Sequence, residues 1–245
     1  MMLEGKRALV TGASRGIGAS IAKALAAEGA DVAITYEKSA ERAAEVVRAI
    51  EAQGRRAVAI QADSADVTAV QASVEKTVAK LGGLDILVNN AGILRVAELK
   101  DISLEDIDAI LNVNVRAPIV ASKAALAHLT KGGRIITIGS FFADRVPASV
   151  LSVYAGSKSA LVAFTKGLAR ELGPKEITVN LVQPGSIDTD MNPTHGPFAG
   201  TLQQMTALGH YGAVEDIANA VAFLASAKAK YITGSALTVD GGAIA

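Results

Sequence analysis

Along almost the whole chain, short runs of β-branched and apolar residues alternate with longer stretches rich in Ala, Leu, Glu, Lys and Arg. Seven runs have strand character, at 7–11, 31–36, 57–61, 86–89, 134–138, 178–182 and 236–239. Helical patterns lie between them at 16–28, 40–53, 67–81, 104–129 and 152–172. Parallel strands need long crossovers, and helices that make them cover both faces of a sheet. Apolar runs such as Ile135-Ile136-Thr137-Ile138 suit strands buried on both sides. The expected fold class is therefore α/β, a doubly wound parallel sheet of about seven strands with helices on both faces.

A chain of 245 residues can bury one large core, and no linker, repeat or low-complexity stretch divides it, so 1–245 reads as a single domain. Half of the residues are hydrophobic, which excludes a disordered protein. Basic and acidic residues number 24 each, giving neither a nucleic-acid footprint nor a polybasic membrane patch. No apolar run reaches the length of a membrane span, and the first residues lack the apolar stretch of a signal peptide. Zero Cys and three scattered His (His128, His195, His210) offer neither a disulfide framework nor a metal cluster. The expectation is a cytoplasmic protein acting on a small molecule, with no nucleic-acid or membrane partner. One long segment, 186–212, contains Pro193 and Pro197 with glycines at its ends, and reads as a lid or binding loop.

The first strand runs into Thr11-Gly12-Ala13-Ser14-Arg15-Gly16-Ile17-Gly18 and then an Ala-rich helix. Glycines in such a turn let the backbone approach a pyrophosphate, and the helix N-terminus supplies N–H groups with partial positive charge. Placed between a strand and a helix, the turn marks a Rossmann-type dinucleotide site. Further on, Tyr154 and Lys158 are four apart in a helical pattern, so phenol and ammonium share a face. A Tyr with a free pKa of about 10 becomes useful as an acid–base group when a nearby cation favours its phenolate. Ser140, just past the fifth strand, can hydrogen-bond the same substrate oxygen, although it could equally be a helix cap.

Together these motifs resemble the short-chain dehydrogenase/reductase family. Its cofactor turn is similar to 11–18, and Asn90-Ala91-Gly92 is similar to the segment that shapes the cofactor cleft. Asp63 and Ser64 match the adenine contact, while Pro184, Gly185, Ile187 and Thr189 match the segment that holds the nicotinamide carboxamide. The resemblance implies a tetrad of Asn114, Ser140, Tyr154 and Lys158, with Asn114 relaying protons through water to Lys158 and Lys158 also holding the nicotinamide ribose. Ser140 and Tyr154 are one residue further apart than is commonest in the family, which implies a rearranged loop at 141–151.

Where NAD-using members carry an acidic residue at the end of the second strand, this chain has Tyr36. Arg15 can pair with a phosphate dianion and Lys38 can assist, though both could be ordinary solvated charge and Glu37 opposes them. The expected cofactor is NADPH/NADP+ rather than NADH. Leu94, Phe141, Phe142, Leu151, Met191, Phe198 and Tyr211 are expected to wall a pocket for an apolar ketone or secondary alcohol.

Two other activities fit. Lys131 and Lys175 stand where carrier-protein reductases carry basic residues, which suits reduction of a 3-oxoacyl thioester. Stretches at 63–66, 182–190 and 192–193 resemble a subgroup that includes a cyclic-di-GMP-binding mediator of biofilm dispersal, which implies a signalling role. The helices at 104–129 and 152–172 resemble those of the family's four-helix interface, implying a homotetramer.

Overall fold

A computed structural model describes residues 1–196 and 198–245, so Pro197 lies outside the described residues. Seven parallel strands form one sheet: β1 (Arg7–Val10), β2 (Asp31–Tyr36), β3 (Ala57–Gln61), β4 (Ile86–Asn89), β5 (Arg134–Ile138), β6 (Thr178–Pro184) and β7 (Ala236–Val239). Their order is β3-β2-β1-β4-β5-β6-β7. Because side chains alternate along a strand, each strand feeds two cores. Ala8, Val10, Val32, Ile34, Ile86, Val88 and Ile136 face one side, packing on α1 (Gly16–Ala27), α2 (Ala40–Glu51) and α8 (Val214–Ala225). Leu9, Ala33, Leu87 and Ile135 face the other, packing on α3 (Val67–Leu81), α5 (Ala117–Ala125) and α6 (Ser152–Leu172). The doubly wound parallel sheet expected from the sequence is the fold that forms.

Local signals explain where several helices stop and start. Asp66 caps α3 by accepting the Thr68 and Ala69 N–H groups, and Gly82 ends it in the left-handed region at φ 83°. Asp216 reaches back to accept the Ala213 N–H at 2.8 Å, fixing the start of α8.

Three expectations need correction. The continuous helix at 104–129 is instead α4 (Leu104–Leu111), a π-helical turn (Asn112–Arg116) and α5, ending at Ala125. Asn114 lies in the π-helical turn, buried, with its amide bonded to the Ile93 backbone outside the helix rather than to solvent. Second, β6 continues two residues further, to Pro184, because Gln183 and Pro184 pair in register with Thr238 and Val239. Third, α8 was not anticipated, although Ile217, Val221 and Leu224 repeat at helical spacing and are fully buried. Within 186–212 a short helix, α7 (Ala199–Gln204), also forms.

Gly185 sits where β6 leaves the sheet beside the end of β7, and its N–H bonds Val239 O at 2.9 Å. A Cβ there would lie 2.5 Å from the Asp240 Cα. Since the obstacle is backbone, Gly185→Ala should cost about 1–3 kcal/mol through overpacking. Urea unfolding checks this; an unchanged midpoint would mean that the two strand ends separate freely.

Candidate active site

Strand order reverses at the β1–β4 pair, so the crossovers leave in opposite directions and open a crevice beyond the strands' C-terminal ends. Side chains tie the two rims together. Thr11 Oγ1 accepts the Asn90 and Ala91 N–H groups at 3.0 and 3.1 Å. Asn90 Nδ2 returns bonds to Thr11 O and Gly12 O at 2.9 and 3.1 Å. Thr35 Oγ1, on β2, accepts the Gly12 N–H at 2.9 Å. Gly12 has φ +62°, and a Cβ there would meet the Ala91 Cα at 2.9 Å, so only glycine lets the rims close this tightly. Arg15 precedes α1 in extended conformation and, among the described residues, no side chain caps that helix, whose first-turn N–H groups face the crevice.

The crevice is a cavity of about 880 Å³. Every residue expected to bind the cofactor lines it: Gly12, Ser14, Arg15, Gly16, Ile17 and Gly18; Tyr36, Lys38, Asp63 and Ser64 at one end; Asn90, Ala91 and Gly92 along the floor; Tyr154, Lys158, Pro184, Gly185, Ile187 and Thr189 toward the other end. A dinucleotide suits this cavity, because the uncapped N-terminus of α1 opens onto the same space as Tyr36 and Tyr154. Asp63 accepts the Ala65 N–H at 2.8 Å, which fixes its carboxylate in a turn. Glu37 is ion-paired to Lys38 at 2.9 Å, so the acid next to Tyr36 is neutralised.

Ser140, Tyr154 and Lys158 all reach the inner wall of the cavity. Lys158 is buried, donates to Ile138 O at 3.1 Å and lies 5.8 Å from the Tyr154 ring centroid. Burial pulls its pKa down to about 8, and burial pushes the Tyr154 phenol up to about 12 against the lowering effect of a hydrogen bond from Ser140. Phe142 packs edge-on against the Tyr154 ring at 6.3 Å and on Phe141 at 4.2 Å, restricting how the phenol can tilt.

Asn114 does not line the cavity. Its Oδ1 accepts the Ile93 N–H at 2.9 Å, and its Nδ2 donates to Ile93 O at 3.0 Å and Ser157 Oγ at 3.2 Å. It nevertheless stands beside the lysine: a point next to Gly92 is 3.5 Å from Asn114 Oδ1 and 3.4 Å from Lys158 Nζ.

Of the expected substrate residues, Leu94, Phe141, Phe142, Leu151, Met191 and Phe198 line the cavity. Tyr211 does not; its hydroxyl turns to Asn192 Oδ1 at 3.3 Å and braces the loop instead. Sequence reasoning also missed Val96, Val150, Leu202 and Met205, which extend the apolar wall and lie in a loop, a single turn or the short helix α7 and its C-cap, segments too short to carry a periodic signal. Gln183 was missed as well. Buried on β6, it donates to Ser140 O at 3.3 Å and Asp144 Oδ2 at 2.9 Å, holding the serine's loop to the sheet. Among the described residues no group of three or more His, Cys, Asp or Glu could hold a metal.

A family described as enoyl-(acyl carrier protein) reductase matches residues 12–243. The chain belongs to the short-chain dehydrogenases/reductases. A solved short-chain dehydrogenase from Burkholderia cenocepacia, in complex with NADP, is 61% identical over the whole of both chains with a TM-score of 0.99. The cyclic-di-GMP-binding biofilm dispersal mediator protein of Escherichia coli is 44% identical, with 97% of this chain and 96% of that protein covered. Versicolorin reductase 1 of Aspergillus parasiticus is 41% identical, with 98% and 97% covered. As a short-chain dehydrogenase/reductase, the protein is an NAD(P)-dependent oxidoreductase.

Lys158 in this site is costly to the fold. Its folded pKa of about 8 lies below the ordinary 10.5, so below pH 8 an ammonium must be buried, at about 3 kcal/mol. That penalty fades as pH rises from 8 toward 10.5, where the unfolded chain also loses its proton. Lys158→Met removes it at the loss of one carbonyl bond. The variant should lose turnover yet melt roughly 2–5 °C higher at pH 7, as read by calorimetry. A lower melting temperature would show that the ammonium is well compensated.

Proposed function

We propose that this short-chain dehydrogenase/reductase is an NADPH-dependent reductase of apolar ketones, with Tyr154 as general acid/base. The observation that carries the reading is the convergence of Ser140, Tyr154 and Lys158 in the same cavity that Arg15, Tyr36 and the glycine turn line. The dinucleotide supplies the hydride to the carbonyl carbon. Tyr154, fully protonated at neutral pH because burial raises it to about 12, gives its proton to the carbonyl oxygen. Ser140 orients that oxygen by a hydrogen bond, and Lys158 holds positive charge beside the phenol. Asn114, fixed by Ile93 and Ser157, holds a relay water toward Lys158.

The apolar stretch of the cavity favours a hydrophobic, aromatic-compatible substrate, and the likeness to a versicolorin reductase agrees with reductase chemistry. Met191 and Phe198 are 51% and 62% exposed at the cavity mouth, which supports the segment 186–212 as a lid that covers them on closing. The whole chain, 1–245, acts as one cytoplasmic catalytic domain in a homotetramer. Supporting the assembly, α6 turns the small residues Gly156, Ala160, Ala163 and Gly167 outward, and α4 and α5 expose Leu104, Leu111 and Ile119. A monomer in sedimentation at micromolar concentration would overturn it.

The Escherichia coli relative's name favours a second reading, sequestration of cyclic-di-GMP. Sequestration alone needs no proton-transfer group, whereas Ser140, Tyr154 and Lys158 converge here. For a 3-oxoacyl thioester on a carrier protein, the two candidate docking lysines are Lys131 and Lys175, and the exposed pair of Lys131 with Glu176 at 2.6 Å is too solvated to decide for or against docking.

Steady-state assays with a panel of ketones, quinones and 3-oxoacyl thioesters, beside a cyclic-di-GMP titration, test the choice. Tyr154→Phe should abolish turnover while leaving NADPH binding nearly intact; more than a tenth of the wild-type kcat would sink the assignment. NADPH should be preferred over NADH at least tenfold in kcat/KM, about the worth of one charge-assisted hydrogen-bond set. Arg15→Ala should largely erase that preference through KM. In pH profiles, reduction should hold through pH 7 and fall above about 8 as Lys158 loses its proton, whereas alcohol oxidation should rise with pH because it needs the phenolate. Parallel profiles in the two directions would rule out Tyr154 as the proton carrier.

A further inference from the structure

Two guanidinium groups from different elements converge on one carboxylate oxygen at the rim of the cavity. Arg15, in the glycine turn, donates to Asp190 Oδ2 at 3.0 Å, and Arg42, in the first turn of α2, donates to the same atom at 2.7 Å. Asp190 lines the cavity from the 186–212 segment, far along the chain from both arginines. Its position is set by a tight turn. The Asn192 N–H donates to Thr189 O at 3.0 Å and to Thr189 Oγ1 at 3.2 Å, and the Thr189 N–H returns to Asn192 O at 3.4 Å. The turn's root is fastened by Gly212 N–H to Ser186 O at 2.9 Å and Asp188 N–H to Gly212 O at 3.1 Å. Thr189 also stands against Gly16 of the glycine turn.

Charge at this end is therefore satisfied internally: Lys38 by Glu37, and Arg15 with Arg42 by Asp190. The two arrangements differ. Lys38 has a partner adjacent in sequence, whereas two permanently charged forks share one oxygen of a single carboxylate brought from another loop. Two forks suit a phosphate dianion, which offers three oxygens and twice the charge. The pairs are also more than half exposed, with side chains 54–59% accessible, and ion pairs so solvated are weak and readily exchanged. Hydrogen bonds from Arg42 and Arg15 hold the Asp190 carboxyl below the usual carboxylate range.

We propose that Asp190 is an internal stand-in for the 2′-phosphate of NADPH: it occupies the Arg15–Arg42 pair until the phosphate displaces it, which frees the turn 189–192 of the substrate loop. The inference rests on the NADPH reading above and adds to it two specificity-determining residues, Arg42 and Asp190. It also gives NADPH an effect that NADH lacks. Both dinucleotides fill the cavity, but only the one carrying a 2′-phosphate releases the loop, and by linkage a released loop favours that cofactor.

Equilibrium binding of NADPH, NADH and adenosine 2′,5′-bisphosphate, without turnover, tests this on wild type, Arg42→Gln and Asp190→Asn. Arg42→Gln should weaken NADPH and the bisphosphate about tenfold and leave NADH unchanged. Asp190→Asn should tighten NADPH and the bisphosphate several-fold, again without effect on NADH. In wild type, hydrogen exchange at 189–192 should rise with NADPH and not with NADH. Unchanged NADPH affinity in Arg42→Gln overturns the inference, as does weaker NADPH binding in Asp190→Asn, which would make the carboxylate a brace for the arginines. Tighter binding in Asp190→Asn with no NADPH-specific change in exchange at 189–192 also overturns it, since long-range repulsion alone would produce that. A wild type that binds NADH as well as NADPH defeats the cofactor reading itself. If Arg15→Ala loses the preference while Arg42→Gln keeps it, that reading stands and the exchange with Asp190 falls. Both side chains are exposed, so the variants should fold; melting temperatures within about 1 °C of wild type would establish that.

Discussion

The site depends on the hydrogen bonds that close β1 against β4 at the point where strand order reverses. Without them the crevice would open between two strands that touch only along their ladder. Thr11 accepts from two consecutive backbone N–H groups of the β4 loop, and Asn90 answers with its amide to two carbonyls of the β1 loop. From there a continuous polar thread runs to α6, the helix of Tyr154 and Lys158. The Asn90-Ala91-Gly92 backbone leads to Ile93, whose N–H and C=O are both taken by Asn114. Asn114 then holds Ser157, whose hydroxyl caps Tyr154 O at 2.6 Å. Each member is partly or fully buried, so each bond is costly to leave unmade and the geometry is held as a unit.

The helix carrying Asn114 is irregular where this thread passes through it. The amide of Asn114 reaches Ile93 from within the π-helical turn, and such turns recur at functional sites. Burial has the same character at Tyr154 and Lys158. Both are displaced from their ordinary pKa toward the neutral form, Tyr154 upward and Lys158 downward, by desolvation. A fold selected only for stability would place neither group there, and strongly displaced titratable groups side by side in a cleft are a mark of a functional site.

Opposite the rigid floor, the segment 186–212 is held mainly by turns, by a bridge between Ile187 and Gly212, and by the exposed ion pairs of Asp190. Its contribution to the cavity wall is apolar and partly solvent-exposed at Met191 and Phe198. If the proposed roles hold, rigidly held groups beneath a loosely tied segment would divide the labour between chemistry, which needs fixed distances, and substrate entry, which needs motion.

The sequence by itself determined the parallel sheet, most helix positions, the glycine turn and the cavity-lining Ser140, Tyr154 and Lys158, because each is written in local periodicity or in short motifs with their own geometry. Asn114 was legible through the family resemblance, but the π-helical turn that carries it and its partner at Ile93 beyond the helix were not. Helix α8 carried the usual periodic signal and was simply overlooked. Only tertiary structure decided that Tyr211 braces the loop instead of walling the pocket, that Gln183 anchors the loop after Ser140, and that Arg42 and Asp190 meet beside Arg15. These contacts join residues from separate loops and helices. Local pattern carries no information about which distant charge or carbonyl a side chain will find once the sheet has brought the loops together.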